Sequence, residues 1–401
     1  MSKAIIIFLL FILLGSSLLF GAYYFSSEAN YSSEANGLVL DTKENTKPKI
    51  THIKTPENVR AVYMSACYAS APSLREKLVK LIEDTELNSI VIDIKDYTGT
   101  VSFQTGDTEI DSLDGSGCKV SNMENFVREL HKKDIYVVGR VTVFQDPLYT
   151  KVHPELAVKK KSNIGVVWKD RKGLSFIDVG ARPFWDYIVK IATSSYAVGF
   201  DEINFDYIRF PSDGNMNDIV YTHTGTTTKK EMLRQFFEYL DQKLSDKDVV
   251  TSADLFGMTT TNTDDLNIGQ VLEYALMNFD YVSPMVYPSH YPPNFNGWKD
   301  PNKVPAELIK YVLGAGVARI DFLNAEIAST SPNSKLVERI DRKQLRPWLQ
   351  DFDYPVAYTP AMVRGQIQST YDVGLNSWML WDPSNQYTRE ALILDAVPAR
   401  P

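Results

Sequence analysis

The chain has 401 residues, 44% of them hydrophobic and 12% aromatic, which suits the core of one large domain better than two small ones. Its formal net charge is -8, and the run Lys159, Lys160 and Lys161 is most simply a solvated loop, so a nucleic-acid partner is not expected. The five histidines form no His-x-x-x-His or His-Glu-x-x-His pair, and no nucleophile elbow or phosphate-binding loop is present, so neither a metal nor a cofactor is expected.

The chain begins with an apolar segment and a polar one. Residues 4–25 are uncharged and strongly apolar, and Lys3 precedes them. About 20 apolar residues span a bilayer, and a positive flank tends to stay in the cytoplasm, so we predict a single-pass anchor over residues 1–25 with the rest outside. A cleaved signal peptide followed by secretion is the alternative. Residues 26–56 are polar and contain SSEAN twice, which predicts a flexible stalk.

Apolar strand patterns alternate with helical patterns over residues 57–397. The predicted strands are 59–65, 89–96, 135–144, 200–207, 249–255, 280–287, 345–352 and 375–381. The predicted helices begin near residues 73, 121, 182, 228, 268, 305, 360 and 389. Eight such alternations predict a (β/α)8 TIM barrel. A doubly wound open sheet is the alternative, but the segment 65–73 lacks its glycine-rich first turn.

Two cysteines, Cys67 and Cys118, follow the first and second predicted strands. In a barrel both would lie at the same rim, and in an exported protein they could pair. Two unrelated free thiols explain the sequence equally well.

Polar and aromatic residues gather where the predicted strands end. In TIM barrels the active site lies at the carboxyl ends of the strands. The residues at those ends are Asp93, Lys95, Asp96, Arg140, Thr142, Asp206, Arg209, Ser252, Asp254, Tyr287, His290, Gln350, Asp351, Trp381 and Asp382. Packing alone would not place charged groups at so many strand ends, so the set predicts an active site.

Several segments resemble one bacterial family of glycoside hydrolase domains. They are IDIKD (92–96), WKDRKGL (168–174), GFDEINFDYIRFP (199–211), ADLFG (253–257), IGQ (268–270), SPMVYPSHY (283–291), RPWLQDF (346–352) and WMLWD (378–382). The resemblance spans roughly residues 57–390 in order. It implies a barrel related to the amylase-like glycosidases.

The resemblance also implies roles for two aspartates. Glycoside hydrolysis normally needs two carboxyl groups that flank the scissile bond. In the amylase-like barrels the fourth strand supplies the nucleophile and the fifth the acid, which assigns Asp206 as nucleophile or base and Asp254 as general acid. Exchanged roles remain open. Neighbouring strands lie about 4.8 Å apart, so the two side chains can span the roughly 5–9 Å that the mechanisms require.

Other polar residues are expected to support this pair. Glu202 shares the inward face of the fourth strand but lies deeper, where a charge is more often paired than catalytic, with Lys95 or Arg140 as partner. Asp93 and Lys95 are expected to form an internal ion pair. Arg209 either neutralises Asp206 or stabilises the turn after the strand.

Aromatic residues at the same strand ends could stack on sugar rings. The candidates are Tyr287, His290, Trp348, Trp378 and Trp381, with Asp382 as a polar neighbour. Trp378 and Trp381 have opposite parity, so one faces the barrel axis, and Trp381 lies nearer the rim. Together these features predict a hydrolase of a cell-surface or extracellular polysaccharide. A barrel that binds glycans without cleaving them is the alternative.

Overall fold

The computed structural model describes residues 50–332, 334, 336 and 340–394. The predicted anchor at residues 1–25 lies outside them, and of the predicted stalk only residues 50–56 are included. No helix within the described ranges is long and apolar enough to cross a membrane.

Eight parallel strands close a barrel, as the sequence predicts. In chain order they are β1 Arg60–Met64, β2 Ser89–Lys95, β3 Tyr136–Thr142, β4 Glu202–Asp206, β5 Val250–Phe256, β6 Tyr281–Met285, β7 Trp348–Gln350 and β8 Trp378–Trp381. Each strand pairs with the next along the chain, and β8 pairs with β1 to close the cylinder. A doubly wound open sheet is therefore excluded.

Helices cover the outside of the barrel. They are α1 Ala66–Ser70, α2 Pro72–Glu83, α3 Thr108–Asp111, α4 Met123–His131, α5 Pro147–Val152, α6 Arg182–Ala197, α7 Lys229–Leu244, α8 Leu272–Asn278, α9 Pro305–Thr330 and α10 Pro360–Asp372. The helix predicted at residue 389 is only the 3-10 turn Arg389–Ala391. Further 3-10 turns are Pro154–Leu156, Met216–Asp218, Ser245–Lys247, Gly257–Thr260, Pro288–His290, Phe295–Gly297, Pro301–Lys303 and Arg342–Gln344.

The segments before and after β4 pair with each other in a two-residue antiparallel ribbon. Lys159–Lys160 pairs there with Ile219–Val220. The lysine run 159–161, predicted to be a solvated loop, thus forms a short strand pairing at its first two residues.

The strands are buried on both faces, which is usual for parallel sheets. Every residue of β2 and β3 is buried. Alternate apolar residues such as Ile203 and Phe205 of β4 pack outward against the helices. A second, smaller cluster lies inside the barrel and contains Val59, Ala61, Tyr63, Val91, Tyr136, Val138, Tyr287, Trp348 and Met379. Three acidic side chains of the strands share this interior, because Asp93 accepts a hydrogen bond from Tyr63, Glu202 from Tyr136 and Asp254 from Trp348.

A disulfide joins Cys67 and Cys118, with 4.8 Å between their Cα atoms. It links α1, which follows β1, to the loop that follows β2. Both cysteines thus lie beyond the carboxyl ends of the first two strands. They form a disulfide and are not two free thiols.

Candidate active site

A cavity of about 520 Å³ opens at the carboxyl ends of the strands. It is lined by Arg140, Asp206, Tyr207, Arg209, Asp213, Asp254, Phe256, Gly257, Met258, Met285, Tyr287, His290, Tyr291, Trp348 and Trp381. Strands β3 to β8 each contribute to it directly or through the following loop. Both aspartates expected to carry the chemistry are in this lining.

The guanidinium of Arg140 holds the polar centre of the cavity together. Its Nη1 donates to Asp93 Oδ1 at 2.7 Å, its Nη2 donates to Asp206 Oδ2, and its Nε lies 3.8 Å from Asp254 Oδ2. The Tyr63 hydroxyl donates to Asp93 Oδ2 at 2.5 Å. Because one guanidinium contacts both Asp206 and Asp254, their carboxyl groups lie within the about 10 Å that glycosidase pairs span.

Asp206 ends β4 at a strained turn. The next residue, Tyr207, has a left-handed backbone with φ 52°, which is costly for an aromatic residue and is typical of functional sites. In this conformation the Tyr207 amide donates to Asp206 Oδ1 at 2.5 Å. The turn and Arg140 therefore fix the two carboxylate oxygens separately.

Asp254 has quite different surroundings. Its Oδ1 accepts hydrogen bonds from Asn204 Nδ2 at 2.9 Å and from Trp348 Nε1 at 2.8 Å. Burial raises its pKa well above the usual value, and the nearby charge of Asp206 raises it further. Asp254 therefore keeps its proton to higher pH than an exposed aspartate does. Because Oδ1 is occupied as an acceptor, Oδ2 is the oxygen left to carry a proton.

The predicted ion pair between Asp93 and Lys95 is wrong. The pairing of β2 with β3 shifts register between these residues, so Lys95 no longer shares the inward face of Asp93. Lys95 Nζ instead lies 2.9 Å from Asp146 Oδ2 and donates to the Thr142 carbonyl at 2.6 Å. Lys95 is fully buried and does not line the cavity.

The predicted depth of Glu202 is confirmed, but both suggested partners are wrong. Glu202 Oε2 accepts from Arg346 Nη1 at 2.7 Å and from the Tyr136 hydroxyl at 3.0 Å. Arg346 enters the barrel from just before β7. Glu202 thus supports the barrel interior and does not line the cavity.

Arg209 stabilises the turn after β4. Its Nη1 donates to the Phe210 carbonyl at 3.0 Å and to Ser212 Oγ at 3.2 Å. These contacts agree with the turn-stabilising role suggested for Arg209. The arginine that contacts Asp206 is Arg140 instead.

The aromatic candidates divide as their strand parity indicates. Trp381 lines the cavity and stacks on Tyr63 with 4.0 Å between ring centroids. Trp378 faces the helices, where its Nε1 donates to the Tyr371 hydroxyl at 2.9 Å. Trp348 lines the cavity too, but its indole also donates to Asp254.

Tyr287 and His290 lie beside each other at the cavity wall. Their ring centroids are 5.3 Å apart. Burial raises the pKa of the Tyr287 hydroxyl well above its usual range and lowers the pKa of His290, so both are neutral near pH 7. Ser289 Oγ lies 3.0 Å from His290 Nδ1, which leaves Nε2 for a ligand.

Asp382 contributes to the loop rather than to the cavity. Its Oδ1 accepts from the Ser384 amide at 2.5 Å, and it is not part of the lining. It closes the turn after β8.

Several cavity residues were missed by sequence reasoning. They are Tyr207, Asp213, Phe256, Gly257, Met258, Met285 and Tyr291. Most lie one to four residues beyond a strand that was predicted, so extending each strand by a few residues would have included them. Gly257 has a steric reason: a Cβ there would lie 2.5 Å from both the Met285 carbonyl oxygen and the Tyr291 hydroxyl.

This fold and site define a TIM-barrel domain with two carboxyl groups in one cavity. Residues 61–387 match the family described as "Putative glycosyl hydrolase domain". The chain therefore belongs to this family of glycosyl hydrolase domains, as the motif resemblance implies. No curated protein sequence matches it.

Solved structures show similarity of several kinds. A hypothetical protein from Ruminiclostridium thermocellum ATCC 27405 is 30% identical with a TM-score of 0.44, covering 52% of this chain and 98% of that one. The glycoside hydrolase domain of PgaB (BpsB) from Bordetella bronchiseptica is 13% identical with a TM-score of 0.56, covering 84% and 100%. The alpha-galactosidase TtGalA from Thermus thermophilus is 10% identical with a TM-score of 0.50, covering 84% and 60%. The latter two agree with the barrel fold.

Proposed function

We propose that this domain hydrolyses glycosidic bonds of a polysaccharide with Asp206 and Asp254 as its catalytic residues. The observation that carries the proposal is the contrast between two aspartates in one cavity. Asp206 is held by Arg140 and a backbone amide, whereas Asp254 is deeply buried with a raised pKa. Glycosidases separate the roles of two carboxyl groups through such differences in environment.

Asp254 acts as the general acid. A proton on its Oδ2 passes to the glycosidic oxygen of the leaving sugar, and the hydrogen bonds from Asn204 and Trp348 stabilise the carboxylate that results. This direction of transfer follows from burial, which favours the protonated form before the reaction.

Asp206 acts on the anomeric carbon from the other side, either directly as nucleophile or by activating a water. If it attacks directly, Asp254, now a carboxylate, takes a proton from a water that hydrolyses the glycosyl ester and frees Asp206. The guanidinium of Arg140 contacts both aspartates and stabilises the negative charge on whichever of them is a carboxylate during the reaction. Its third contact, Asp93, is fixed by Tyr63 and holds the guanidinium in place.

The aromatic wall supports a sugar substrate. Trp381, Tyr287 and Phe256 line the cavity beside the two carboxyl groups. Flat apolar rings suit the apolar faces of sugar rings, while the phenol hydroxyl of Tyr287 offers a hydrogen bond to a sugar hydroxyl.

We place the substrate at the cell surface or outside the cell. The apolar run at residues 4–25 supports an exported, membrane-tethered domain. The disulfide between Cys67 and Cys118 supports the same location, because disulfides persist mainly in oxidising compartments.

The test compares the wild type with Asp206→Asn and Asp254→Asn on a panel of polysaccharides, with release of reducing ends as the readout. Asp382→Asn is the matched control, since Asp382 lies at the same rim outside the cavity lining. We expect the wild type and the control to cleave one or more polymers and both site variants to lose at least about 100-fold in kcat. A wild type that binds a glycan without cleaving it, with equal binding by both variants, would instead identify a glycan-binding barrel.

A further inference from the structure

One charged group of the cavity forms no ion pair with the residues that the structure describes. Arg209 lines the cavity three residues after Asp206. Only its Nη1 is used in hydrogen bonds, to Phe210 and Ser212. Within the part of the chain that the structure describes, no carboxylate oxygen lies within 4.0 Å of its guanidinium, and Nε and Nη2 make no hydrogen bond.

The two other arginines inside the barrel differ in this respect. Arg140 pairs with Asp93 and Asp206, and Arg346 pairs with Glu202. Both of these arginines are buried, whereas Arg209 is only partly buried, so water still reaches its charge until a ligand covers it. Covering an unpaired cation costs several kcal/mol unless the ligand brings an anion. The acidic neighbour Asp213 also lines the cavity, but its Oδ1 lies 3.2 Å from Arg171 Nε.

Aromatic rings fix the Arg209 guanidinium in position. Its central carbon lies 5.0 Å from the ring centroids of Tyr207 and Phe256 and 5.9 Å from that of Phe176. These contacts stabilise the cation without neutralising it. Burial lowers the pKa of Arg209 from its usual value, and nearby acidic groups, among them Tyr207 and Asp206, offset this only in part.

The unused nitrogens have the geometry of an anion site. Nε and Nη2 form one edge of the guanidinium, and two parallel N–H groups on such an edge match the two oxygens of a carboxylate. Asp206 and Arg209 lie in the same lining, so an anion on Arg209 would belong to a sugar bound at or next to the catalytic aspartates.

We propose that Arg209 binds the carboxylate of an acidic sugar, so that the substrate is an acidic, uronate-type polysaccharide. This inference rests on the proposed glycosidase function and specifies its substrate class. The carboxylate would accept two charge-assisted hydrogen bonds and supply a counter-ion in direct contact, which none of the described residues does. Neutral glycans would leave the Arg209 charge unpaired.

The experiment uses matched acidic and neutral substrates. The full-length protein is assayed on polygalacturonate, alginate and hyaluronan, and on the carboxyl-reduced form of each, in which every carboxylate has become a primary alcohol. Arg209→Gln removes the charge, and Arg209→Lys keeps the charge without the planar edge. Ser212→Ala removes one turn contact of Arg209 and leaves its guanidinium in place.

We expect kcat/KM of the wild type on an acidic polymer to exceed that on its reduced form by about 10- to 100-fold, mainly through KM. Arg209→Gln should lose most of this preference and Arg209→Lys part of it, while Ser212→Ala retains it. Equal hydrolysis of acidic and reduced polymers by the wild type, or equal losses on both in Arg209→Gln, would overturn the inference while leaving the glycosidase proposal standing.

Binding separates the two proposals if no polymer is cleaved. The Asp206→Asn variant, alone and combined with Arg209→Gln, is then measured by affinity electrophoresis with the same polymers. Retention by acidic polymers that disappears with Arg209→Gln would support the anion site although hydrolysis fails. Absence of retention by all acidic polymers, or retention by the reduced forms as well, would refute it.

Discussion

The buried pair of Glu202 and Arg346 tests the division of the barrel into a structural interior and a reactive rim. Both residues are 1% exposed, and one hydrogen bond of 2.7 Å joins them. Glu202→Gln removes the negative charge and leaves the buried Arg346 without a counter-ion. Even in the wild type, Nη2 of Arg346 makes no hydrogen bond with the described residues. Breaking a buried pair on one side costs about 3–5 kcal/mol. We expect a loss of that size in the free energy of unfolding.

The assay is chemical unfolding followed by circular dichroism, with kcat measured at a temperature where the variant is folded. Replacing both partners, as Glu202→Gln with Arg346→Met, should cost less than the sum of the single changes, because no charge is then left unpaired. We expect kcat of the folded Glu202→Gln variant to stay within about threefold of wild type, since Glu202 does not line the cavity. A 1000-fold loss of kcat with unchanged stability would refute this structural role and place Glu202 in the chemistry.

Three further predictions concern pH and stability. Trp348→Phe removes a hydrogen bond that lowers the pKa of Asp254. The alkaline limb of the pH profile of kcat should therefore move to higher pH. A limb that does not move would contradict the role of Asp254 as the acid. Burial raises the pKa of Asp351 to about 7, so its contribution to stability is present below about pH 4 and is lost as pH rises to about 7. Asp351→Asn should therefore gain Tm relative to wild type as pH rises through this window, and a constant difference would contradict the assignment. The double change Cys67→Ser and Cys118→Ser removes a disulfide that links residues 51 positions apart. It should reduce the free energy of unfolding by up to about 4 kcal/mol in denaturant titrations. Under reducing conditions the wild type also lacks the disulfide, and the two proteins should be equally stable.

Sequence patterns predicted the strands well because parallel strands are short apolar runs that are buried on both faces. The two aspartates at the ends of β4 and β5 came from the same patterns together with the family motifs. The structure brings both into one cavity, and their catalytic roles stay a prediction until variants are assayed.

Lys95 shows where periodicity fails. In IDIKD the alternation places Asp93 and Lys95 on one face, and nothing in the local sequence marks the shift in pairing between them. A bulge reverses the side of every residue beyond it. Lys95 therefore finds Asp146, a partner 51 positions along the chain, in the layer outside the barrel.

Long-range partners were equally hidden. Arg346 lies 144 positions after Glu202, and only closure of the barrel brings the two together. The helix predicted to begin near residue 305 continues as α9 through Gly314 and Gly316 to Thr330, because packing against α10 outweighs the low helix propensity of these glycines.

The central claim is that Asp206 and Asp254 share one reaction in different roles. The most direct measurement compares both Asn variants on the cleaved polysaccharide and on a dinitrophenyl glycoside of the same sugar, whose leaving group needs no proton. Asp254→Asn should lose activity on the polysaccharide and retain kcat/KM on the dinitrophenyl glycoside, because cleavage of that bond needs no acid, whereas Asp206→Asn should lose both. Wild-type rates of polysaccharide cleavage by either variant would contradict the claim.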